Sequence, residues 1–143
     1  MTTVVRILGP DEASALSNVA PGVFDDPIDP RWSAEFFADP RHHLAVAIDD
    51  GCVVGMASAV HYVHPDKGPE LWVNEVGVAP THRARGVGTQ LLRVLFEHAR
   101  TLGCAEAWVL TDRTNGAARR LYEGVGGTAA NEDPMMFSFW LRA

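Results

Sequence analysis

The passage from Leu71 to Gly103 constrains the fold more than any other part of the chain. Leu71–Val78 is an apolar run of strand character whose alternation is imperfect, a sign of burial on both faces or of a bulge. It hands over through Ala79-Pro80-Thr81-His82-Arg83-Ala84-Arg85-Gly86-Val87-Gly88 to a helix. There Leu91, Leu92, Leu95, Ala99 and Leu102 recur at helical spacing, and Gly103 ends the run. A buried strand leading by a glycine loop into an amphipathic helix needs a layered domain in which helices cover a sheet.

The flanking sequence fills in that domain. Val4–Leu8 reads as a first strand closed by Gly9-Pro10, and Asp11 caps a helix reaching about Val19. Asp29 followed by Pro30 starts a second helix, which carries Trp32, Phe36 and Phe37 and stops before Pro40. Leu44–Ile48 and Cys52–Val63 form a hairpin about Asp49-Asp50-Gly51, and residues 65–69 form a loop. After the central helix come a strand over Ala105–Thr111, a helix capped by Thr114 or Asn115 and running to about Glu123, and a last strand over Met135–Leu141. The order is strand, two helices, three strands, helix, strand, helix, strand: antiparallel hairpins early, crossover helices late, in one mixed sheet.

The chain of 143 residues is one domain's worth, expected over 1–143. Its formal charge of −6 and lack of a basic cluster argue against nucleic acid as a partner. Apolar runs fall short of a membrane span, and the first residues lack a signal pattern, so a cytoplasmic location is expected. Cys52 and Cys104 read as buried reduced thiols. His42, His43, His61 and His64 lack ligand spacing, so no metal is expected. The early acidic residues, Asp25, Asp26 and Asp29 among them, serve solubility or draw a cationic substrate into a cleft.

The loop Arg83–Gly88 has the physics of an anion cradle. Free backbone N–H groups and the positive end of a helix dipole favour a phosphate there. Gly86 and Gly88 allow close approach, Arg83 and Arg85 add charge, and His82 is an additional donor. A Walker loop would need Gly-Lys-Ser/Thr, but Gly88 precedes Thr89-Gln90. A dinucleotide fingerprint would need a third glycine where Leu91 stands, and would follow the first strand.

Arg83-x-x-Gly86-x-Gly88 after Val76-Gly77-Val78-x-Pro80 resembles the GNAT acetyltransferase superfamily, and the likeness covers nearly the whole chain. Thr114-Asn115-Gly116-Ala117-Ala118 and Leu121-Tyr122-Glu123 add to it; Gly126 matches a family glycine, while Gly127 stands where phenylalanine is common. The resemblance implies a single GNAT-like α/β (α+β) domain, with a central mixed, mostly antiparallel twisted sheet of six to seven strands flanked by about four helices. It implies acetyl-CoA as cosubstrate, held by Val76, Gly77, Val78, Arg83, Ala84, Arg85, Gly86, Val87, Gly88, Thr89, Asn115, Ala118 and Tyr122. It also implies that the Val76 N–H meets the thioester carbonyl, that the Val78 backbone aligns the pantetheine, and that the Tyr122 hydroxyl protonates the departing thiolate; Tyr122 is otherwise a core tyrosine.

The reaction implied is attack of an amine on a thioester. A primary amine of pKa near ~10 must lose a proton first. Glu75, on the strand entering the cradle, is the candidate base, against a structural or solvent-facing role. Trp72, Asn74, Phe24 and Asp26 are the candidate acceptor contacts, with Trp72 equally placed to be core. The layout His61-Tyr62-Val63-His64-Pro65 and Pro69–Glu75 resembles the aminoglycoside 3-N-acetyltransferase group. The expected function is acetyl transfer to the primary amine of a small cationic molecule, aminoglycoside-like or a polyamine. A protein or peptide N-acetyltransferase and a non-catalytic acyl-CoA sensor are the alternatives, and a homodimer is possible through Met135, Met136, Phe137 and Trp140.

Overall fold

The computed structural model describes residues 3–142, so both ends of the expected 1–143 domain lie just outside the described residues. Five strands, in the order β1-β2-β3-β4-β5, form one sheet. They are β1 (Val4–Ile7), β2 (His42–Asp49), β3 (Cys52–His64), β4 (Lys67–Val78) and β5 (Glu106–Val109). The first four pair antiparallel and β5 joins β4 parallel. The described helices are α1 (Pro30–Ala38), α2 (Val87–Thr101) and α3 (Gly116–Gly124), with short 3-10 turns at Ala13–Ser17 and Pro80–His82. The class is the expected one; five strands and three α-helices replace the six to seven and about four.

Each difference has a local cause. The first helix is only a 3-10 turn. Glu12, rather than Asp11, stands at its start, and its carboxylate turns back to accept from the Gly9 N–H at 2.8 Å and to pair with Arg6. The loop expected over 65–69 contracts to a tight turn at Pro65-Asp66, because His64 already pairs with Lys67. Met135–Leu141 is not a strand: a strand exists only with a hydrogen-bonded neighbour, and these residues have none. The hairpin of β2 and β3 and the start of α1 are as expected, with the Asp29 carboxylate accepting from the Arg31 N–H at 2.9 Å.

The core lies where β2, β3 and β4 meet α2. Leu91, Leu92 and Leu95 of α2 are fully buried, against Val46, Val53, Leu71 and Val73 from the sheet. Burial of such side chains contributes roughly 1.5–3 kcal/mol each. Leu102 caps α2 instead of joining its buried face. Cys52 and Cys104 are free and half-buried rather than fully buried. At the far end of α2 three histidine rings form a chain, His98 Nε2 to His43 Nδ1 at 3.2 Å and His43 Nε2 to His61 Nδ1 at 2.7 Å. Burial first, then the neighbouring His98, His61 and His42 rings, push His43 down to about 4. Among the described residues no helix is long and apolar enough to cross a membrane, and no group of three or more His, Cys, Asp or Glu is arranged to hold a metal.

Candidate functional site

The site begins with an irregularity in β4. Val73 pairs with Ala59 and Glu75 with Ser58, so Asn74 is an extra residue in the ladder. Strict alternation would put Val73 and Glu75 on one face. The bulge breaks that rule: Val73 stays buried against α2, while Glu75 emerges on the opposite face, beside Ser58 and Leu44. The imperfect alternation in the sequence is therefore a bulge.

The same place is where the sheet opens. β5 pairs with β4 only over Glu70–Val73, so from Asn74 to Val78 one side of β4 has no strand beside it. The Ala79 N–H donates to the Val54 carbonyl at 2.8 Å, which turns alternate residues, Val76 and Val78, outward to the open side. The Val78 carbonyl there accepts from Arg83 Nε at 3.1 Å.

On the Glu75 face lies a hollow of about 310 Å³. Glu75, Ser58, Asp25, Asp26 and Asp29 supply its polar wall, and Phe24, Trp32, Phe36 and Phe37 much of its apolar wall. It adjoins a second hollow bounded by residues between Leu16 and Ile28, with which it shares Leu16 and Phe24–Ile28. The segment before α1 is locked onto β4 at Gly77, where a Cβ would stand only 2.0 Å from the Val23 carbonyl oxygen. Gly77 thus positions the acidic loop, a packing role beside the expected one. Of the expected acceptor contacts, Phe24 and Asp26 line the hollow; Trp72 and Asn74 do not. Trp72 instead stacks on Trp108 of β5, with ring centroids 4.8 Å apart. Sequence reasoning missed Ser58, Phe36 and Phe37 as wall residues, although the aromatic spacing of α1 was visible.

Beyond Val78 the cradle forms as expected in shape. Ala84 and Gly86 both take left-handed backbone conformations, φ 60° and 77°. Gly86 stands at the start of α2 with no side-chain cap, and the first helical bond is from the Gln90 N–H to the Gly86 carbonyl. The N–H groups of Val87, Gly88 and Thr89 therefore have no helical acceptor, and nothing lies within 4 Å of where a Gly86 Cβ would be. This concave, donor-rich turn fits a diphosphate. Arg85 is exposed beside it. His82 is not a donor to it: its ring nitrogens are engaged by Asp49 at 2.6 Å and Thr81 at 2.8 Å.

α3 completes the site. Gly88 lets Leu121 pack on the start of α2, with the leucine methyls 3.3 Å from where a Cβ would be. Asn115 caps α3, its Oδ1 accepting from the Ala118 N–H at 3.0 Å, which leaves its amide N–H groups free. Half-buried Tyr122 packs at the margin of the core, and burial raises its hydroxyl pKa, keeping it protonated at neutral pH. Gly127 donates its N–H to the Tyr122 carbonyl, an approach a Cβ would block at 2.7 Å. A phenylalanine there would not fit without a shift.

Comparison with known proteins adds four findings. The family model described as "Acetyltransferase (GNAT) family" matches residues 12–126. The N-alpha-acetyltransferase RimI of Mycobacterium tuberculosis is 36% identical over 104 residues, 73% of this chain and 63% of that protein. An aminoglycoside acetyltransferase from an uncultured soil metagenomic sample, solved with trehalose, superposes with a TM-score of 0.84 at 16% identity, over 98% of this chain and 97% of its own. An aminoglycoside N-acetyltransferase in complex with CoA gives 0.76 at 21% identity, over 98% of this chain and 95% of its own. The chain spans less than two thirds of the length of the curated relatives it matches.

Proposed function

The chain belongs to the acetyltransferase (GNAT) family, and from that premise we propose that it transfers an acetyl group from acetyl-CoA to the primary amine of a small cationic molecule, such as an aminoglycoside-like amine or a polyamine. The observation that carries the reading is the bulge at Asn74, which sets Glu75 in the wall of an acidic, aromatic-lined hollow beside the open side of β4. An ammonium group is drawn to such a wall by its carboxylates and its aromatic faces.

Each residue then has a task in the reaction. The N–H groups of Val87, Gly88 and Thr89, with Arg83 and Arg85, hold the diphosphate, and Gly77, Ala84 and Ala118 shape the backbone around the cosubstrate. The Asn115 amide adds a donor. The outward backbone of Val78 aligns the pantetheine as a strand would be aligned, and the Val76 N–H donates to the thioester oxygen as charge gathers there. Glu75 takes the proton from the ammonium, directly or through water. The freed amine attacks the carbonyl, the C–N bond forms, the C–S bond breaks, the Tyr122 hydroxyl gives its proton to the leaving sulfur, and the second proton of the nitrogen leaves to solvent, from which Tyr122 is protonated again.

A peptide N-terminus is the second reading, favoured by the 36% identity to an N-alpha-acetyltransferase. Thiol release from acetyl-CoA with an aminoglycoside, a polyamine, a neutral amine and a short peptide tests both. The cationic small amines should give the highest kcat/KM; the peptide leading would favour the second reading, and no amine-dependent release at all would leave a sensor. The cytoplasm and a homodimer complete the proposal. The free thiols of Cys52 and Cys104 support a reducing compartment, and the exposed apolar tail supports self-association.

A further inference from the structure

An ion pair stands just ahead of the cradle, and neither phosphate binding nor the acceptor hollow uses it directly. His82 closes the 3-10 turn Pro80–His82, immediately before Arg83. Its Nε2 lies 2.6 Å from Asp49 Oδ2, and its Nδ1 lies 2.8 Å from Thr81 Oγ1. Asp49 is the last residue of β2, at the hairpin turn, 33 positions earlier in the chain. The His82 and Asp49 side chains are only 15% and 13% exposed. Asp49 Oδ1 is buried and unbonded, so the His82 ring is the carboxylate's one hydrogen-bond partner among the described residues. Exposed ion pairs contribute little, but a carboxylate withdrawn from water is costly to strand, so this contact persists in the folded chain.

The cradle needs such a contact, because its shape is not what the local chain prefers. Ala84 sits at φ 60°, a left-handed conformation that a Cβ disfavours. Strain of this kind survives only where the surroundings impose it. Downstream, α2 imposes it through buried Val87 and Leu91. Upstream, the backbone is pinned at buried Ala79, whose N–H donates to the Val54 carbonyl. Arg83 folds back on its own strand, to the Val78 carbonyl. Among the described residues, His82 to Asp49 is the one charged link from residues 80–86 to a distant element.

We propose that Asp49 and His82 are positioning residues for acetyl-CoA: by tying the entrance of the loop to the end of β2, they hold the backbone of Arg83–Gly86 in its diphosphate-binding shape before the cosubstrate arrives. Asp49 accepts from the Nε2–H of His82. The Nδ1 accepts from the Thr81 hydroxyl when the ring is neutral and donates to it when the ring is protonated, so both nitrogens are fixed in either state. His82 then has no donor left for a phosphate, and the Asp49 charge would repel one. The pair therefore acts through the backbone alone, and its effect falls on donor affinity and not on the chemical step. A cradle that is competent about a tenth of the time binds roughly tenfold more weakly. The proposal rests on the reading of the cradle as a diphosphate site, and not on Glu75 or on the choice of amine.

Titration calorimetry with CoA, on wild type, Asp49→Ala, His82→Ala and the double variant, tests it. Each single variant should raise Kd about tenfold. The double variant should lose no more than either single one, because the two residues act as one contact. His82→Gln, whose amide still donates to Asp49, should recover most of the affinity. Asp49→Asn, which keeps the size and the acceptor but not the charge, disturbs the fold least and should raise Kd by a smaller factor. In acetyl transfer, KM for acetyl-CoA should rise with Kd while kcat holds. Acetyl-pantetheine, which lacks the diphosphate, should serve wild type and variants equally well. Unchanged CoA affinity in the Asp49 and His82 variants, additive losses in the double variant, or an equal loss with acetyl-pantetheine would each overturn the proposal. A wild type that does not bind CoA would overturn the cradle reading itself, and this proposal with it.

Discussion

Replacing Gly77 by alanine tests the link between backbone packing and the acceptor hollow. The added methyl would meet the Val23 carbonyl oxygen at 2.0 Å, where contacts under 3.0 Å essentially never occur, so the segment must retreat by about 1 Å. Val23 is buried, only 3% exposed, and cannot move without disturbing the core beneath it. Overpacking of this kind costs roughly 1–3 kcal/mol. For a domain of this size that lowers Tm by about 3–10 °C. The same displacement carries Phe24, Asp25 and Asp26 away from Glu75, so KM for the amine should rise several-fold. The diphosphate cradle lies beyond Val78, so CoA affinity should fall less than amine affinity, by no more than the share that the backbone at Gly77 gives to aligning the pantetheine. Thermal unfolding by circular dichroism, with amine and CoA affinities measured on the same sample, reads all of this. An unchanged Tm and an unchanged amine KM would refute the reasoning; equal losses of amine and CoA binding would show general unfolding in place of a displaced loop.

Other perturbations separate the parts of the site. Gly86→Val should raise KM for acetyl-CoA about tenfold or more and destabilise by roughly 1 kcal/mol, because its left-handed φ of 77° disfavours a side chain although the space is open; titration calorimetry with CoA checks it. Asn115→Ala removes the cap on the Ala118 N–H and should cost about 1 kcal/mol of stability in urea unfolding, together with weaker CoA binding through loss of the amide donor. Stability should also fall with acid. The folded His43 pKa, about 4, lies below the ordinary 6.5, so the unfolded chain binds the proton first. The loss begins as pH drops below 6.5, grows to about pH 4, and reaches at most roughly 3 kcal/mol at ~1.4 kcal/mol per pH unit. Urea unfolding of wild type and His43→Gln across that range should show the slope flattened in the variant.

Much of the site could be read from residues alone where local chemistry decides. The cradle is a local motif: glycines, arginines and a helix start, with no distant partner needed for its shape. The aspartate–proline start of α1 is local in the same way. The bulge at Asn74 was visible only as broken alternation, because its register depends on β3. Trp72 was ambiguous for that reason too: its stacking partner, Trp108, comes from a strand distant in sequence. His82 was misread because Asp49, also remote, takes its ring nitrogen. The Met135–Leu141 segment has strand composition and no strand, since pairing depends on a neighbour and composition cannot supply one.

Glu75→Gln offers the most direct test of the central claim, that the carboxylate raised by the bulge moves the proton in acetyl transfer. The measurement is amine-dependent thiol release at saturating acetyl-CoA, for wild type and variant, with CoA affinity recorded in parallel. The expected result is a loss of about a hundredfold or more in kcat, the scale of a removed general base, with CoA affinity unchanged. Glu75→Gln turning over the amine as fast as wild type would contradict it.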